Sequence, residues 1–385
     1  MLTKNIRFKN FLIKSNTILI RKYLYLFLNE KISPVETLKR NYKYSYSKAL
    51  IIKLKKLKNL RIIGMGGSIL GAEAIYDFLY SKIKKKISFV NNIDVNQSCY
   101  KDKKKYLNII ISKSGNTLET ISNANTLIKK NDKNIFITEN KVSYLSDLAK
   151  KLKSEIIEHK NYIGGRYSVL SEVGMLPAEL MSLDEKKFKQ FNNLIKNKNF
   201  VNSLLSNVSN TLNLLNKKNY TSVILNYDEK SNNLFKWYQQ LLAESLGKKS
   251  KGILPIISSM PKDNHSLMQL YLDGPKKNFY TFFHVRDKNS IKINNKSIIS
   301  GYKFLKNKSI NEIIYAQKIA TQNVFTRSKI PFRSFEIINR NEQTLGELFC
   351  FFMLETILLG YALKVNPFDQ PSVELIKKET KIILT

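Results

Sequence analysis

Apolar runs that end in loops of small residues recur along the chain, and each is followed by a segment with helical spacing. NLRIIG leads into GMGGS and then AEAIYDFLYSKI, and YLNIII leads into SKSGNT and then LETISNANTLIKK. Further runs of the same kind are KNIFIT, TSVILN, FYTFFHV and FRSFEI. Continuous apolar runs predict strands that are buried on both faces, so this alternation predicts parallel sheets flanked by helices. The expected fold class is α/β.

A chain of 385 residues is long enough for two domains, each with its own core. We expect a helical segment over residues 1–45, a first α/β domain over 46–195, a second over 196–365 and a C-terminal segment over 366–385. The longest apolar stretch, residues 345–363, contains two glutamates. We therefore expect it to form a core helix and not a membrane span.

The formal net charge of +35 raises the question of a nucleic-acid partner. The lysines are spread from Lys4 to Lys381, and Lys, Asn and Ile are all abundant. This distribution indicates a composition bias along the whole chain, not a local binding patch. We therefore expect no nucleic-acid partner, although a positive field would attract a phosphorylated substrate.

Cysteine and histidine are scarce. Cys99 and Cys350 form no CxxC pair, and three histidines are too few for a large metal cluster, so we expect neither a disulfide framework nor a metal site.

Basic residues interrupt every apolar run near the N-terminus, so no signal peptide is expected. The predicted protein is soluble and cytoplasmic, with no membrane partner.

Two loops between a strand and a helix have the composition of anion-binding sites. Glycines in GMGGS, residues 64–68, allow close approach of the backbone, and SKSGNT brings three hydroxyls, those of Ser112, Ser114 and Thr117. A phosphate is bound by several short hydrogen bonds at a helix N-terminus, which favours a phosphate cradle in the second loop. The alternatives are an ordinary glycine turn and an N-cap loop with Thr117 as the cap. No GKT or GKS follows the glycines, so the loop is not a Walker motif.

Three polar residues are candidates for the chemistry itself. Arg166 follows two glycines in IGGRYSVLS, where a tight turn could aim it at a developing oxyanion; the alternative is a surface arginine. Glu244 shares a helical face with bulky apolar residues of WYQQLLAESLGK, a setting that suits a general base; the alternative is a pair with Lys248. His265 lies in the polar loop DNHS and is an acid–base candidate.

The segment NPFDQPSVELIK, residues 366–377, is typical of a proline-bounded turn before a helix. Its Gln370 and Lys377 are the polar groups best suited to meet a phosphorylated sugar.

Six blocks together resemble the signature blocks of the glucose-6-phosphate isomerase family. In order they are GMGGS, SKSGNT, GGRYSVLS, QQLLAESLGK, DNHS and NPFDQPSVELIK, spread over about four-fifths of the chain. The resemblance implies an enzyme of glycolysis and gluconeogenesis that interconverts glucose 6-phosphate and fructose 6-phosphate through ring opening and a cis-enediolate. It also implies two flavodoxin-like sugar-isomerase domains and no cofactor or metal. Finally, it implies a homodimer in which each active histidine reaches the neighbouring subunit's site.

The resemblance assigns roles residue by residue. Arg166 would stabilise the enediolate, Glu244 would move the proton between C1 and C2, and His265 with Lys377 would open the ring. Gln370 would lie near the substrate. The residues implied in binding the substrate and its phosphate are Gly67, Ser68, Ser112, Lys113, Ser114 and Thr117.

Two other readings stay open at this point. A non-catalytic sugar-phosphate-binding module would keep the serine loops but would not need Glu244, His265 and Lys377, and all three are present. A dual-specificity enzyme would also accept mannose 6-phosphate. The chain is shorter than typical family members, and it has Ser372 where they usually carry glycine.

Overall fold

The computed structural model describes residues 1–13, 16–29, 33–95, 105–129 and 132–385. Within these residues the chain forms two five-stranded sheets covered by helices. The expected α/β class with two largely parallel sheets is confirmed.

The first sheet is entirely parallel and has the strand order β3-β2-β4-β5-β6. Its strands are β2 (Asn59–Gly64), β3 (Lys86–Val90), β4 (Leu107–Ile111), β5 (Lys133–Thr138) and β6 (Glu155–Glu158). The order corresponds to 2-1-3-4-5 within the domain, which is the flavodoxin-like order. In such a sheet the chain leaves the first strand in one direction and returns on its other side, here between β2 and β4. Ligands bind at the carboxyl ends of the strands at this switch point.

The second sheet has the order β1-β10-β9-β7-β8, and only β1 runs antiparallel to its neighbour. Its strands are β1 (Ile6–Lys9), β7 (Thr221–Asn226), β8 (Leu254–Ser259), β9 (Asn278–Val285) and β10 (Phe332–Ile337). Strands β7 to β10 repeat the order 2-1-3-4 of the first sheet. The two domains are therefore built on the same plan.

The expectation of a purely helical N-terminal segment is wrong for its first residues. Ile6–Lys9 forms β1, which pairs with the edge of the second sheet, and helix α1 follows at Ile18–Asn29. The segment IRFK is too short and too basic to be predicted as a strand from its sequence. It is stabilised as one because β10 offers a free edge and Ile6 is fully buried there.

The α-helices lie between the strands and around them. They are α1 (Ile18–Asn29), α2 (Lys48–Lys55), α3 (Leu70–Phe78), α4 (Leu118–Leu127), α5 (Tyr144–Lys151), α6 (Glu172–Leu180), α7 (Glu185–Phe188), α8 (Phe191–Leu194), α9 (Lys198–Asn216), α10 (Asn232–Leu246), α11 (Met268–Asp273), α12 (Ile310–Arg327), α13 (Glu342–Ala362) and α14 (Val373–Leu384).

Helix α13 is the expected core helix. It is long and apolar enough to span a membrane, but 89% of its most apolar window is buried inside the protein. Its Glu355 is paired with Arg333 of β10, and each side chain is only 1% exposed. Cys350, also on α13, is a buried free thiol, whereas Cys99 lies outside the described residues. The apolar composition of α13 thus serves packing between the layers.

Candidate active site

Two glycine-containing turns pack against each other where β2 ends. A Cβ atom on Gly67 would lie 2.3 Å from the carbonyl carbon of Gly165, so only glycine lets the backbones approach this closely. Ser168 joins the two turns, because its hydroxyl donates to the carbonyl oxygens of Gly165 (2.7 Å) and Gly67 (3.3 Å). The short 3₁₀ helix Gly165–Leu170, which carries Arg166, is thereby fixed beside the GMGGS loop.

Arg166 is 2% exposed and is held by hydrogen bonds from all three of its nitrogens. Its Nε donates to the Ser245 hydroxyl (2.7 Å), and its Nη1 donates to Gln370 Oε1 (2.8 Å). Its Nη2 donates to the carbonyl oxygens of Pro367 (2.7 Å) and Asp369 (3.0 Å). The alternative of a surface arginine is therefore wrong: the guanidinium is buried and fixed in direction.

Glu244 lies against the same guanidinium near the C-terminal end of α10. Its Oε1 is 3.3 Å from Nη1 of Arg166, and its Oε2 accepts a hydrogen bond from Nε2 of Gln240 at 3.0 Å. The Glu244 side chain is 23% exposed, so its carboxylate is supported from within the protein and still open to solvent. A carboxylate in this position can exchange a proton with a bound molecule while a fixed cation faces the charge that results.

The SKSGNT loop follows the neighbouring strand at the same edge of the sheet. Gly64 at the end of β2 is paired with Ile111 at the end of β4, so the loops after these strands lie side by side at the switch point. In the second loop the hydroxyls of Ser112 and Thr117 are 2.8 Å apart. Thr117 is the N-cap position of α4, but its side chain makes no capping bond. Its hydroxyl is bonded to Ser112 instead, so the alternative of an N-cap by the Thr117 side chain is wrong.

Gly115 explains the shape of this loop. Its φ of +69° is in the left-handed region that favours glycine, and a Cβ atom there would lie 2.1 Å from the Ser143 hydroxyl oxygen. The hydroxyl of Ser114 accepts the backbone N–H of Asn116 at 3.2 Å. Ser114 therefore shapes the turn, whereas the hydroxyls of Ser112 and Thr117 are bonded to each other.

The side chain of Lys113 points to a different part of the first domain. Its Nζ donates to the carbonyl oxygen of Asn161 at 2.7 Å and lies 3.7 Å from Glu139 Oε1. Burial lowers the pKa of Lys113, and the Glu139 carboxylate acts in the opposite direction. In the described structure, what Lys113 brings to the loop is its backbone.

Comparisons with known proteins point to a single family. The phosphoglucose isomerase family profile matches residues 49–259. A Methanococcus maripaludis protein named probable glucose-6-phosphate isomerase is 34% identical over a 370-residue alignment that covers 86% of this chain and 80% of that protein. The chain belongs to the phosphoglucose isomerase family. A second family relative, the glucose-6-phosphate isomerase of Mycoplasmopsis pulmonis, is 33% identical, with 87% of this chain and 85% of that protein covered.

Solved structures show the same fold. A hypothetical protein from Thermus thermophilus superposes with a TM-score of 0.82 at 21% identity, covering 96% of this chain and 94% of that one. A glucose-6-phosphate isomerase from Chlamydia trachomatis gives a TM-score of 0.72 at 20% identity, covering 91% of this chain and 78% of that one. The phosphoglucose isomerase architecture thus extends over nearly the whole chain.

Neither of the two residues that the family resemblance assigned to ring opening makes a hydrogen bond or ion pair with Arg166 among the described residues. His265 ends an exposed 3₁₀ turn, Lys262–His265, and no hydrogen bond or ion pair joins it to Arg166 or Glu244 within the described residues. The loop itself is held by Asp263, whose carboxylate accepts the backbone N–H of Ser259 at 2.7 Å.

Lys377 is also exposed. It lies on α14, where its Nζ is 2.6 Å from Glu374 Oε1, and this helix has no buried residue. Gln370, in contrast, reaches Arg166 directly. At Ser372 the backbone has φ −68° and ψ −26°, so the position does not need the glycine that family members usually carry.

Further residues complete the site although the sequence motifs did not assign them a role there. Gln240 lies four residues before Glu244 on α10 and orients its carboxylate. This helical spacing is the sequence signal from which the contact could have been predicted. Ser245 accepts the hydrogen bond from Arg166 Nε, and no pattern in the sequence predicts this contact. Lys248 does not pair with Glu244, as the alternative reading proposed; it forms an ion pair with Asp369 at 2.9 Å.

Proposed function

We propose that this chain catalyses the reversible isomerisation of glucose 6-phosphate and fructose 6-phosphate. Membership of the phosphoglucose isomerase family supports this substrate pair, since curated relatives from archaea and bacteria carry that activity in their names. The observation that carries the proposal is the contact between Arg166 and Glu244 next to a hydroxyl-rich loop at the switch point.

Substrate binding begins with the phosphate. The Ser112 and Thr117 hydroxyls and the free amides at the start of α4 form a cradle for a dianion. Gly67 and Ser68, in the neighbouring loop, bind from the other side. The net positive charge of the chain speeds the encounter with an anionic substrate.

Proton transfer follows once the sugar is open. In the direction from glucose 6-phosphate, Glu244 removes the C2 proton, which the C1 carbonyl acidifies, and returns a proton to C1, while the hydroxyl proton moves from O2 to O1. The cis-enediolate between these steps carries negative charge, and the fixed guanidinium of Arg166 stabilises it without reorganisation. Gln240 keeps the carboxylate in one orientation throughout.

Ring opening is assigned to His265 and Lys377, and it requires both to approach the bound sugar. We propose a homodimer in which His265 enters the neighbouring subunit's site. Two observations support an interface: His265 is exposed at the tip of its turn, and α14 leaves apolar side chains such as Ile376 (70%) and Ile383 (82%) exposed. A C2 dimer is the commonest way in which soluble proteins cover such surfaces.

The shared site can be tested by mixing two inactive variants, Glu244→Gln and His265→Ala, under conditions that exchange subunits. If each site takes Glu244 from one chain and His265 from the other, one site of the mixed dimer carries both lesions and its second site carries none. Activity then returns. A mixture that forms heterodimers and stays inactive would show that both residues come from one chain.

The activity itself is tested by supplying fructose 6-phosphate and following glucose 6-phosphate with an NADP-dependent dehydrogenase. Mannose 6-phosphate is supplied in a parallel reaction with a matching coupling enzyme. We expect turnover of fructose 6-phosphate in the first assay. Binding of fructose 6-phosphate without turnover would instead favour a non-catalytic sugar-phosphate-binding module, and turnover of both substrates would indicate dual specificity. The expected setting is the cytoplasm, in glycolysis and gluconeogenesis.

A further inference from the structure

Arg166 takes three of its acceptors from a part of the chain about 200 residues away. These acceptors are the carbonyl oxygens of Pro367 and Asp369 and the side-chain oxygen of Gln370, all within the turn of residues 366–370. A guanidinium has five N–H donors. The 366–370 turn therefore accepts most of them, and its position decides where Arg166 points.

This turn has a second cation bound to it. Nζ of Lys248 lies 2.9 Å from Asp369 Oδ1 and also donates to the backbone oxygen of Asn366. The same ammonium donates to the carbonyl oxygen of Ser245 at 3.0 Å, in the last turn of α10. Its side chain is only 11% exposed. Lys248 thus joins the end of the helix that carries Glu244 to both ends of the 366–370 turn.

The inner structure of the turn makes this attachment effective. Asn366 accepts the backbone N–H of Phe368 at 3.0 Å and donates its amide to Asp369 Oδ2, also at 3.0 Å. Asp369 therefore receives Lys248 on one oxygen and Asn366 on the other, so the salt bridge and the turn are one connected unit. Interactions with Lys248 and Asn366 lower the pKa of Asp369, which stays ionised at neutral pH.

We infer that Lys248 is a positioning residue for the isomerisation: it clamps the 366–370 turn to α10 so that the turn presents Arg166 to Glu244. It touches neither the phosphate cradle nor the reacting carbons. This inference rests on the proposed function and adds a residue to which that function assigns no role.

The clamp predicts a particular kinetic pattern. Without Lys248 the turn loses its direct ion pair with α10, while Tyr167 and Arg166 still connect Ser245 to the carbonyl oxygen of Pro367. The direction of Arg166 relative to Glu244 is then held less firmly. A displacement of about 1 Å at a reacting site lowers the rate by on the order of 100-fold. The phosphate cradle lies in the loops after β2 and β4 of the first sheet, away from Lys248 at the end of α10. KM should therefore change by less than about threefold while kcat falls by about 10- to 100-fold.

The test compares Lys248→Met with Lys251→Met. Lys251 is close in sequence and its Nζ also donates to a backbone oxygen, but this is the oxygen of Leu363 at 2.8 Å, outside the 366–370 turn. Both substitutions remove one charge and keep an unbranched stem. We expect the fall in kcat for Lys248→Met and unchanged kinetics for Lys251→Met, with partial recovery in Lys248→Arg because Arg keeps the charge and the donors.

A second variant guards against loss of folding. Asp369→Asn breaks the same ion pair from a side chain that is 52% exposed, so it leaves the core intact. Asp369→Asn should lower kcat by a smaller factor than Lys248→Met does, because the backbone acceptors for Lys248 remain. Unchanged kcat in Asp369→Asn and in every folded Lys248 variant overturns the clamp. An inactive wild-type protein would instead overturn the proposed function.

Discussion

The substitution Glu244→Gln separates the chemistry of the candidate site from its structure. One carboxylate oxygen lies 3.3 Å from Arg166 Nη1, and the other accepts a hydrogen bond from Gln240 Nε2. An amide at this position keeps one acceptor for Arg166 and turns an NH₂ group towards Gln240. The Gln240 amide can rotate to offer its Oε1, which has no hydrogen-bond partner among the described residues. The contacts are thus largely preserved in a neutral form.

The two expected magnitudes differ enough to be told apart. Loss of the charge in a partly exposed pair should lower the free energy of unfolding by about 0.5–1.5 kcal/mol. Loss of a positioned base should lower kcat by about 10²- to 10⁴-fold, which corresponds to roughly 2.7–5.4 kcal/mol on the barrier. The rate should therefore fall far more than the stability.

The assay follows three quantities in the same preparation: fructose 6-phosphate turnover, exchange of the C2 proton with solvent deuterium, and the free energy of unfolding in urea. Glu229→Gln serves as the control, because Glu229 is an exposed carboxylate just before α10. We expect turnover and exchange to be lost together in Glu244→Gln while the phosphorylated substrate still binds. Undiminished exchange would remove Glu244 from the role of base.

Substitutions elsewhere in the chain test the cradle, the packed turns and the buried charges. Ser112→Ala and Thr117→Ala should each raise KM by about 10- to 100-fold, because a hydrogen bond to a charged group contributes roughly 1.5–3 kcal/mol; Thr126→Ala, farther along α4, is the control in steady-state kinetics. Gly67→Ala should lower kcat, since its Cβ would lie 2.3 Å from the Gly165 carbonyl carbon, whereas Gly301→Ala, with nothing within 4 Å, should not. Arg333→Met should lower the free energy of unfolding by about 3–5 kcal/mol in urea titrations, because it leaves Glu355 buried without its partner. Burial lowers the pKa of His284 to about 4, so the unfolded state binds more protons between that value and the ordinary pKa; stability should fall as pH drops through this window, and His284→Gln should weaken the fall in pH-dependent melting.

The sequence predicted the central strands well and the edge strands poorly. Strands β2, β4 and β7 are buried along nearly their whole length, so their apolar runs are unbroken. Edge strands such as β6 have one paired side and show mostly exposed residues, with only Ile157 buried. A pattern of this kind does not differ from that of a loop until the neighbouring strand is in place.

The candidate site was predicted to a similar, uneven degree. The loops at Gly67 and Ser112 have local signals, because glycine and hydroxyl residues follow a strand directly. The burial of Arg166 has no local signal, since its acceptors lie near residue 368 and are brought to it only by the tertiary fold. The ring-opening role of His265 and Lys377 was assigned by resemblance alone, and their approach to the sugar stays a prediction.

The pairing of β1 with β10 has a consequence for how the chain is made. Ile6 is synthesised more than 300 residues before its partner Ile337, so the second sheet is completed only when synthesis is almost finished. The first sheet has all its strands between residues 59 and 158 and can form while the ribosome is still producing the second. Until β10 emerges, β1 has no partner strand, and until β1 docks, β10 offers an open edge to other chains. Loss of the first ten residues should therefore increase aggregation of newly made protein more than it disturbs the distant catalytic groups.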